Sequence, residues 1–158
     1  RVAVSDGGYD HCDFLFSANP GEAPRSLAAV ASGGELSRVM LALKSVLASS
    51  YDVPTLVFDE VDAGIGGRTA QAVARKLSII ASERQVLCVT HLAQIAARAN
   101  THIQIDKTTD GASTRVTLRS LSEKERVLEL ARMLDGTQTP ATVEHARQML
   151  ALTQKGAS

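Results

Sequence analysis

Three short groups of residues have the types and spacing to handle a nucleotide phosphate. Asp59 and Glu60 are adjacent carboxylates at the end of the apolar run Thr55-Leu56-Val57-Phe58. Phosphoryl transfer to water needs one carboxylate for Mg²⁺, usually through water, and another group to orient or deprotonate the attacking water. Asp59 suits the metal and Glu60 the water. Ser32, Gly33, Gly34 and Glu35 precede a helical stripe; the first amides of a helix lack partners and carry partial positive charge, and glycines let an anion approach the backbone. His91 ends a second apolar run, Gln85 to Thr90. Each group also has a plainer reading, as a routine N-cap, a solvated strand end, or a structural histidine. Asp62 and Gly64 equally continue the Asp59-Glu60 loop or merely make its turn.

The surrounding elements bring these groups together. Leu36, Val39, Met40, Leu43, Val46 and Leu47 fall at helical spacing, as do Ala70, Val73, Ala74, Leu77 and Ile80. The order strand, helix, strand between Thr55 and Thr90 predicts an α/β unit with parallel strands, whose ends open on one edge. Ligands bind at that edge in open α/β sheets, so Asp59, Glu60 and His91 converge there. A short strand is expected within residues 12–17 and a short helix over 92–99. Ile103 and Ile105, then Val116 and Leu118, alternate with polar residues about Thr109-Asp110-Gly111, which predicts an antiparallel hairpin. Ser122 with Glu125 has capping-box spacing, and Thr139-Pro140 gives an N-cap and first-turn proline, so two helices follow.

Composition narrows the classes. The 158 residues hold 44% apolar and 22% charged side chains, which suits one globular domain, and 17 basic side chains balance 17 acidic ones. That balance lacks the basic excess of a dedicated DNA-binding domain, and Arg115, Arg119, Lys124, Arg126 and Arg132 read as scattered solvated cations. Cys12 and Cys88 lack zinc-ligand spacing and suit free thiols in a reducing compartment. With no apolar run of membrane-spanning length and no signal-peptide pattern in residues 1–10, the expected location is cytoplasmic, without a membrane partner.

Taken in order, S-G-G-E opening a helix, an apolar strand ending in D-E, and an apolar strand ending in T-H resemble the ABC ATPase signature (Ser32 to Glu35), Walker B (Leu56 to Glu60), D-loop (Val61 to Gly64) and switch histidine (His91). Glu35 in place of the transporter-type glutamine, with Asp59-Glu60-Val61-Asp62-Ala63, is similar to the chromosome-maintenance, SMC-like branch. The longer strings V-A-S-G-G-E-L-S-R, F-D-E-V-D-A-G-I-G-G, T-H-L-A-Q and F-L-F-S-A-N-P-G-E resemble the members of that branch that repair DNA breaks. Ala31 stands where transporters have leucine, and Ala93 where proline is expected; neither removes a catalytic group.

The resemblance implies a fold that is the C-terminal lobe of a P-loop NTPase head, mainly parallel sheet flanked by helices plus a β-hairpin. Residues 1–11 would be the end of a linker following a coiled coil, 12–154 the lobe, and 155–158 a disordered tail. It implies ATP and Mg²⁺ as cofactors, bound between two heads. Ser32, Gly33 and Gly34, with Glu35, would grip the γ-phosphate held by a partner head. Asp59 would hold Mg²⁺, Glu60 would polarise water, Asp62 would communicate across the interface, and His91 would sense the γ-phosphate. Implied partners are an N-terminal Walker A lobe and coiled coil of the same protein, a second head, and DNA reached through the full assembly near the nucleoid. The sequence has no G-x-x-x-x-G-K-[ST], so the chain alone is expected to be inactive and to present an apolar sheet edge or face to the missing lobe. A nonhydrolytic DNA or protein interaction module and a metal-dependent nuclease built on Asp59, Glu60, Asp62 and His91 are the alternatives.

Overall fold

The computed structural model describes residues 8, 10, 12–17, 20–29, 33–47, 53–111 and 113–155. Ser32 and the segment 30–32 lie outside these residues, as do residues 1–7, 9, 11 and 156–158 of the two expected terminal segments.

The α/β unit forms as its sequence pattern requires. β3 (Thr55–Phe58) and β4 (Gln85–Cys88) pair in parallel, in register from Thr55 opposite Gln85 to Phe58 opposite Cys88, and α2 (Gly67–Ala81) connects them. Alternation decides what each strand buries. Leu56, Phe58, Val86 and Cys88 face a core with Val73, Ala74, Leu77 and Ile80 of α2 and with Val61 and Ile95. Val57, Leu87 and Val89 point the other way and stay exposed, at 66%, 48% and 54%. The strand expected to reach Thr90 ends at Cys88; Val89 donates once more, to the Phe58 carbonyl at 3.0 Å, before the chain turns.

α1 (Gly33–Val46) departs from its predicted face. Its apolar stripe is half open, with Leu36 40%, Met40 39% and Val46 79% exposed, while Gly34 and Leu41 are buried. The inward face is offset by about one residue, through Gly34, Ser37, Arg38 and Leu41. Polar contacts to the turn after β3 hold it there: Arg38 Nη1 donates to the Ala63 carbonyl at 2.7 Å, and Ser37 Oγ to the Asp59 carbonyl at 2.8 Å.

The short strands β1 (Leu15–Phe16) and β2 (Arg25–Ser26) pair antiparallel, within the span expected to hold one strand and a loop. α3 is a single turn, Ala93–Ala96. The hairpin joins β5 (Ile103–Asp110) to β6 (Ser113–Ser120) through Gly111, whose φ of +50° suits glycine in a tight turn. Its polar side faces α4 (Glu123–Asp135), where Gln104 meets Glu129 and Arg119 meets Glu125. Its apolar side is the outer one: Ile103, Ile105, Val116 and Leu118 are 48–67% exposed.

α4 opens on the expected capping box, with Ser122 N donating to Glu125 Oε2 at 2.8 Å, and closes at Gly136 in the left-handed conformation. Thr139 Oγ1 accepts the Thr142 amide at 3.2 Å at the start of α5 (Pro140–Lys155). A second core joins Ala93, Ala96 and Ala97 to Leu130, Ala131 and Ala146, so α3 is the seam between the α/β unit and the C-terminal helices.

Candidate nucleotide-binding edge

Parallel pairing fixes the site. With Phe58 opposite Cys88, the residues that follow each strand emerge at the same end, Asp59 and Glu60 from β3 and His91 from β4. Asp59 is exposed, and its Oδ1 accepts the Glu60 amide at 2.9 Å. Glu60 is exposed as well and takes φ +56°, the only non-glycine residue with positive φ among the described residues. That conformation costs an L-residue roughly 1–2 kcal/mol and turns the chain sharply out of the strand.

The turn brings the carboxylate to α1. A Cβ added at Gly33 would stand 2.6 Å from Glu60 Oε2, and one at Gly34 would stand 2.7 Å from the Ala63 side chain and 3.0 Å from its carbonyl. Close approach therefore requires glycine at position 34, where the neighbour is a fixed turn, whereas at Gly33 the neighbour is the movable tip of a carboxylate. Glu35 sits in the first turn of the same helix. An acid against a helix N-terminus meets its partial positive charge, the same feature that suits this end to phosphate.

Asp62 is turned inward, with 3% exposure. One of its oxygens, Oδ2, accepts from Thr90 Oγ1 at 2.5 Å, from the His91 amide at 2.9 Å, and meets His91 Nδ1 at 3.0 Å. Burial pushes this carboxyl up, but the Thr90 hydroxyl, the His91 amide and the His91 ring together hold it below the ordinary value. His91 is otherwise open, its side chain 72% exposed, so its Nε2 side faces outward. On the strand behind, burial and the Asp62 and Asp59 charges push the Cys88 thiol up to about 11.

Asp59, Glu60, Asp62, His91, Gly33, Gly34 and Glu35 thus border one edge. Ser37, Arg38 and Thr90 were not singled out by sequence reasoning, although they build it. Ser37 and Arg38 lie one helical turn beyond the glycines and Thr90 immediately precedes His91, so helical spacing and adjacency were the available signals. Among the described residues no group of three or more His, Cys, Asp or Glu side chains is gathered as a metal centre. A lone exposed carboxylate still suits Mg²⁺, which keeps several waters and takes its remaining ligands from phosphates. The scattered cations are partly tied down: Arg119 to Glu125, Arg132 to Glu129, and Arg126 to the carbonyls of Ala99 and Asn100. No helix among the described residues is long and apolar enough to cross a membrane.

No family model matches the chain. Its relatives decide the matter. The DNA repair protein RecN of Treponema pallidum is 51% identical over 144 residues, which is 90% of this chain and 25% of that protein. RecN of Deinococcus radiodurans is 57% identical over 86% of this chain and 24% of its own length, and RecN of Bacillus subtilis 47% identical over 94% and 26%. The chain belongs to the RecN family. It spans about a quarter of the length of the curated RecN proteins it matches. A solved SMC ATPase chain, described for ATP-driven dimerization and DNA-stimulated activation, aligns at a TM-score of 0.48 and 22% identity, covering 79% of this chain and 81% of that one. The family expected from the signature, Walker B and switch-histidine strings is thus the family that the RecN relatives share.

Proposed function

We infer that this chain is the signature, Walker B and switch-histidine part of an SMC-like ATPase that closes its heads on ATP and tethers DNA during double-strand-break repair. The observation that carries the reading is the parallel register of β3 and β4, which sets Asp59, Glu60 and His91 at one end of the sheet. Bound Mg²⁺ would neutralise charge on the triphosphate, with Asp59 holding it through water. Glu60, exposed at the turn, accepts a proton from the attacking water. His91 offers its outward Nε2 to the γ-phosphate. The start of α1, with Gly33, Gly34 and Glu35, presents amides to the γ-phosphate of a partner head, a grip that the signature resemblance extends to Ser32, and Asp62 lies behind this surface as its internal brace.

The uncovered face of Val57, Leu87 and Val89 suits a lobe carrying Walker A, because isolated two-stranded sheets are marginal in water. In this reading the partners are that lobe with its coiled coil, a second head, and DNA held by the full assembly at the nucleoid in the cytoplasm.

The test is Mg²⁺-dependent ATP turnover by this chain alone, then joined to a separately supplied Walker A half, with and without duplex DNA. Turnover is expected only in the joined form, and Glu60→Gln should lower it by about a hundredfold or more. A joined form without turnover, or one indifferent to Glu60→Gln, overturns the catalytic reading.

A further inference from the structure

The arrangement of Asp62 assigns it a task that the phosphate-sensing role of His91 leaves open. A neutral imidazole carries its proton on one nitrogen only, and the hydrogen bond made by the other side of the ring decides which. His91 Nδ1 lies 3.0 Å from Asp62 Oδ2, while the rest of the ring is exposed. An ionised carboxylate can only accept, and a bare Nδ1 at this distance would set its lone pair against the carboxylate charge, so the approach favours the proton on Nδ1. The carboxylate is well kept in its ionised form: it is buried, yet Thr90 Oγ1 and the His91 amide donate to the same oxygen at 2.5 and 2.9 Å. The His91 amide bond also fixes the backbone from which the ring extends, so the ring is held by both its backbone and its inner nitrogen.

We propose that Asp62 is the positioning residue for His91, fixing the neutral imidazole as the Nδ1–H tautomer and aiming a bare Nε2 at the nucleotide edge. A bare Nε2 accepts a proton or a hydrogen bond; after protonation both nitrogens donate, one to Asp62 and one outward. Asp62 thereby makes the outward nitrogen respond to an incoming donor, such as a water or a protonated phosphate oxygen. It also joins the turn after β3, which carries Glu60, to the end of β4. The proposal rests on the reading of His91 as the group facing the γ-phosphate, but its test does not depend on turnover.

The experiment is NMR of the full chain with ¹⁵N-labelled histidine, the His91 signals being assigned by their loss in His91→Gln. Neutral wild-type His91 should show a protonated, pyrrole-like Nδ1 and a bare, pyridine-like Nε2. Asp62→Asn keeps an oxygen to accept from Thr90 and the His91 amide but removes the charge, so the signals should shift toward the Nε2–H form that exposed histidines favour. Thr90→Val loosens the same turn without removing the carboxylate and should leave the tautomer unchanged. A wild-type His91 that is mainly Nε2–H overturns the proposal even if every variant fails to fold. An Asp62→Asn protein that folds and keeps the wild-type tautomer overturns it too. If the tautomer behaves as expected while the joined head shows no ATP turnover, the positioning role stands and the ATPase reading falls.

Discussion

Gly34 meets Ala63 so closely that a methyl group at Gly34 would lie 2.7 Å from the Ala63 Cβ, while a methyl at its neighbour Gly33 would meet only the tip of the Glu60 side chain. Two adjacent glycines in one motif are therefore constrained by different things. The turn facing Gly34 is pinned by Arg38, which bonds the Ala63 carbonyl, so it has little freedom to retreat. Gly34→Ala should destabilise the protein by about 1–3 kcal/mol, the usual cost of overpacking. Gly33→Ala, which needs only a side-chain rotation of Glu60, should remain within about 1 kcal/mol of wild type. Urea unfolding midpoints check both, and equal losses would contradict the assignment of a fixed and a movable neighbour.

Glu60 combines an exposed carboxylate with a left-handed backbone. Glu60→Gly relieves the backbone and should raise stability by up to about 1 kcal/mol, whereas Glu60→Gln keeps the strain. Both should abolish most ATP turnover in a joined head. Thermal melts of the two variants beside the wild type separate strain from chemistry; a glycine variant less stable than the glutamine variant would show that the left-handed turn is unstrained.

The two cysteines should differ sharply in reactivity. Cys88 is half-buried and its thiol is pushed up to about 11, first by burial and then by Asp62 and Asp59, so little thiolate exists near neutrality. Cys12 is exposed. A thiol reagent at pH 8 should label Cys12 promptly and Cys88 only after denaturant is added. Prompt labelling of both in the folded protein would place Cys88 outside the core beside α2.

Acid should loosen two contacts. The Glu125 carboxyl is held down to about 2 from 4.5, by the Ser122 hydroxyl and amide and by Arg119. A depressed carboxyl contributes stability that is fully present above its unfolded value and is lost as pH falls through its folded one, so the α4 cap weakens between pH 4.5 and about 2. Asp62 is also held low, from an ordinary 3.8, so its hold on Thr90 and His91 persists at pH 4 and is lost only below. Chemical shifts of the Ser122 and His91 amides across an acid titration check this. Loss of the His91 amide contact above pH 5 would contradict the sign.

The site was legible because its groups sit at the ends of local patterns. The compact apolar run Thr55 to Phe58 and the helical spacing in α2 are short-range signals, and together they pointed to the parallel unit and hence to the meeting of Asp59, Glu60 and His91. The capping box at Ser122 was legible for the same reason. The inward face of α1 was not, because Gly34, Ser37 and Arg38 face the turn through close approach and polar bonds, which hydrophobic periodicity does not register. Asp62 read as part of the Asp59-Glu60 loop or its turn; the bonds that hold it inside come from Thr90 and His91, 28 and 29 residues on. The hairpin was recognised from its alternation, but alternation cannot say which side turns outward, and here the apolar side does.

The β3–β4 pairing also sets an order of events during synthesis. Thr55 and Gln85 are joined through α2 alone, so this unit can close as soon as about thirty residues have been made. In the proposed reading Val57, Leu87 and Val89 are covered by an N-terminal lobe made earlier but distant in sequence, and closure over longer separations is slower. Until that closure the outer side of the unit would stand open. Chaperones have that interval in which to hold it, and damage to the covering partner would leave the unit exposed to proteases and to other copies of itself.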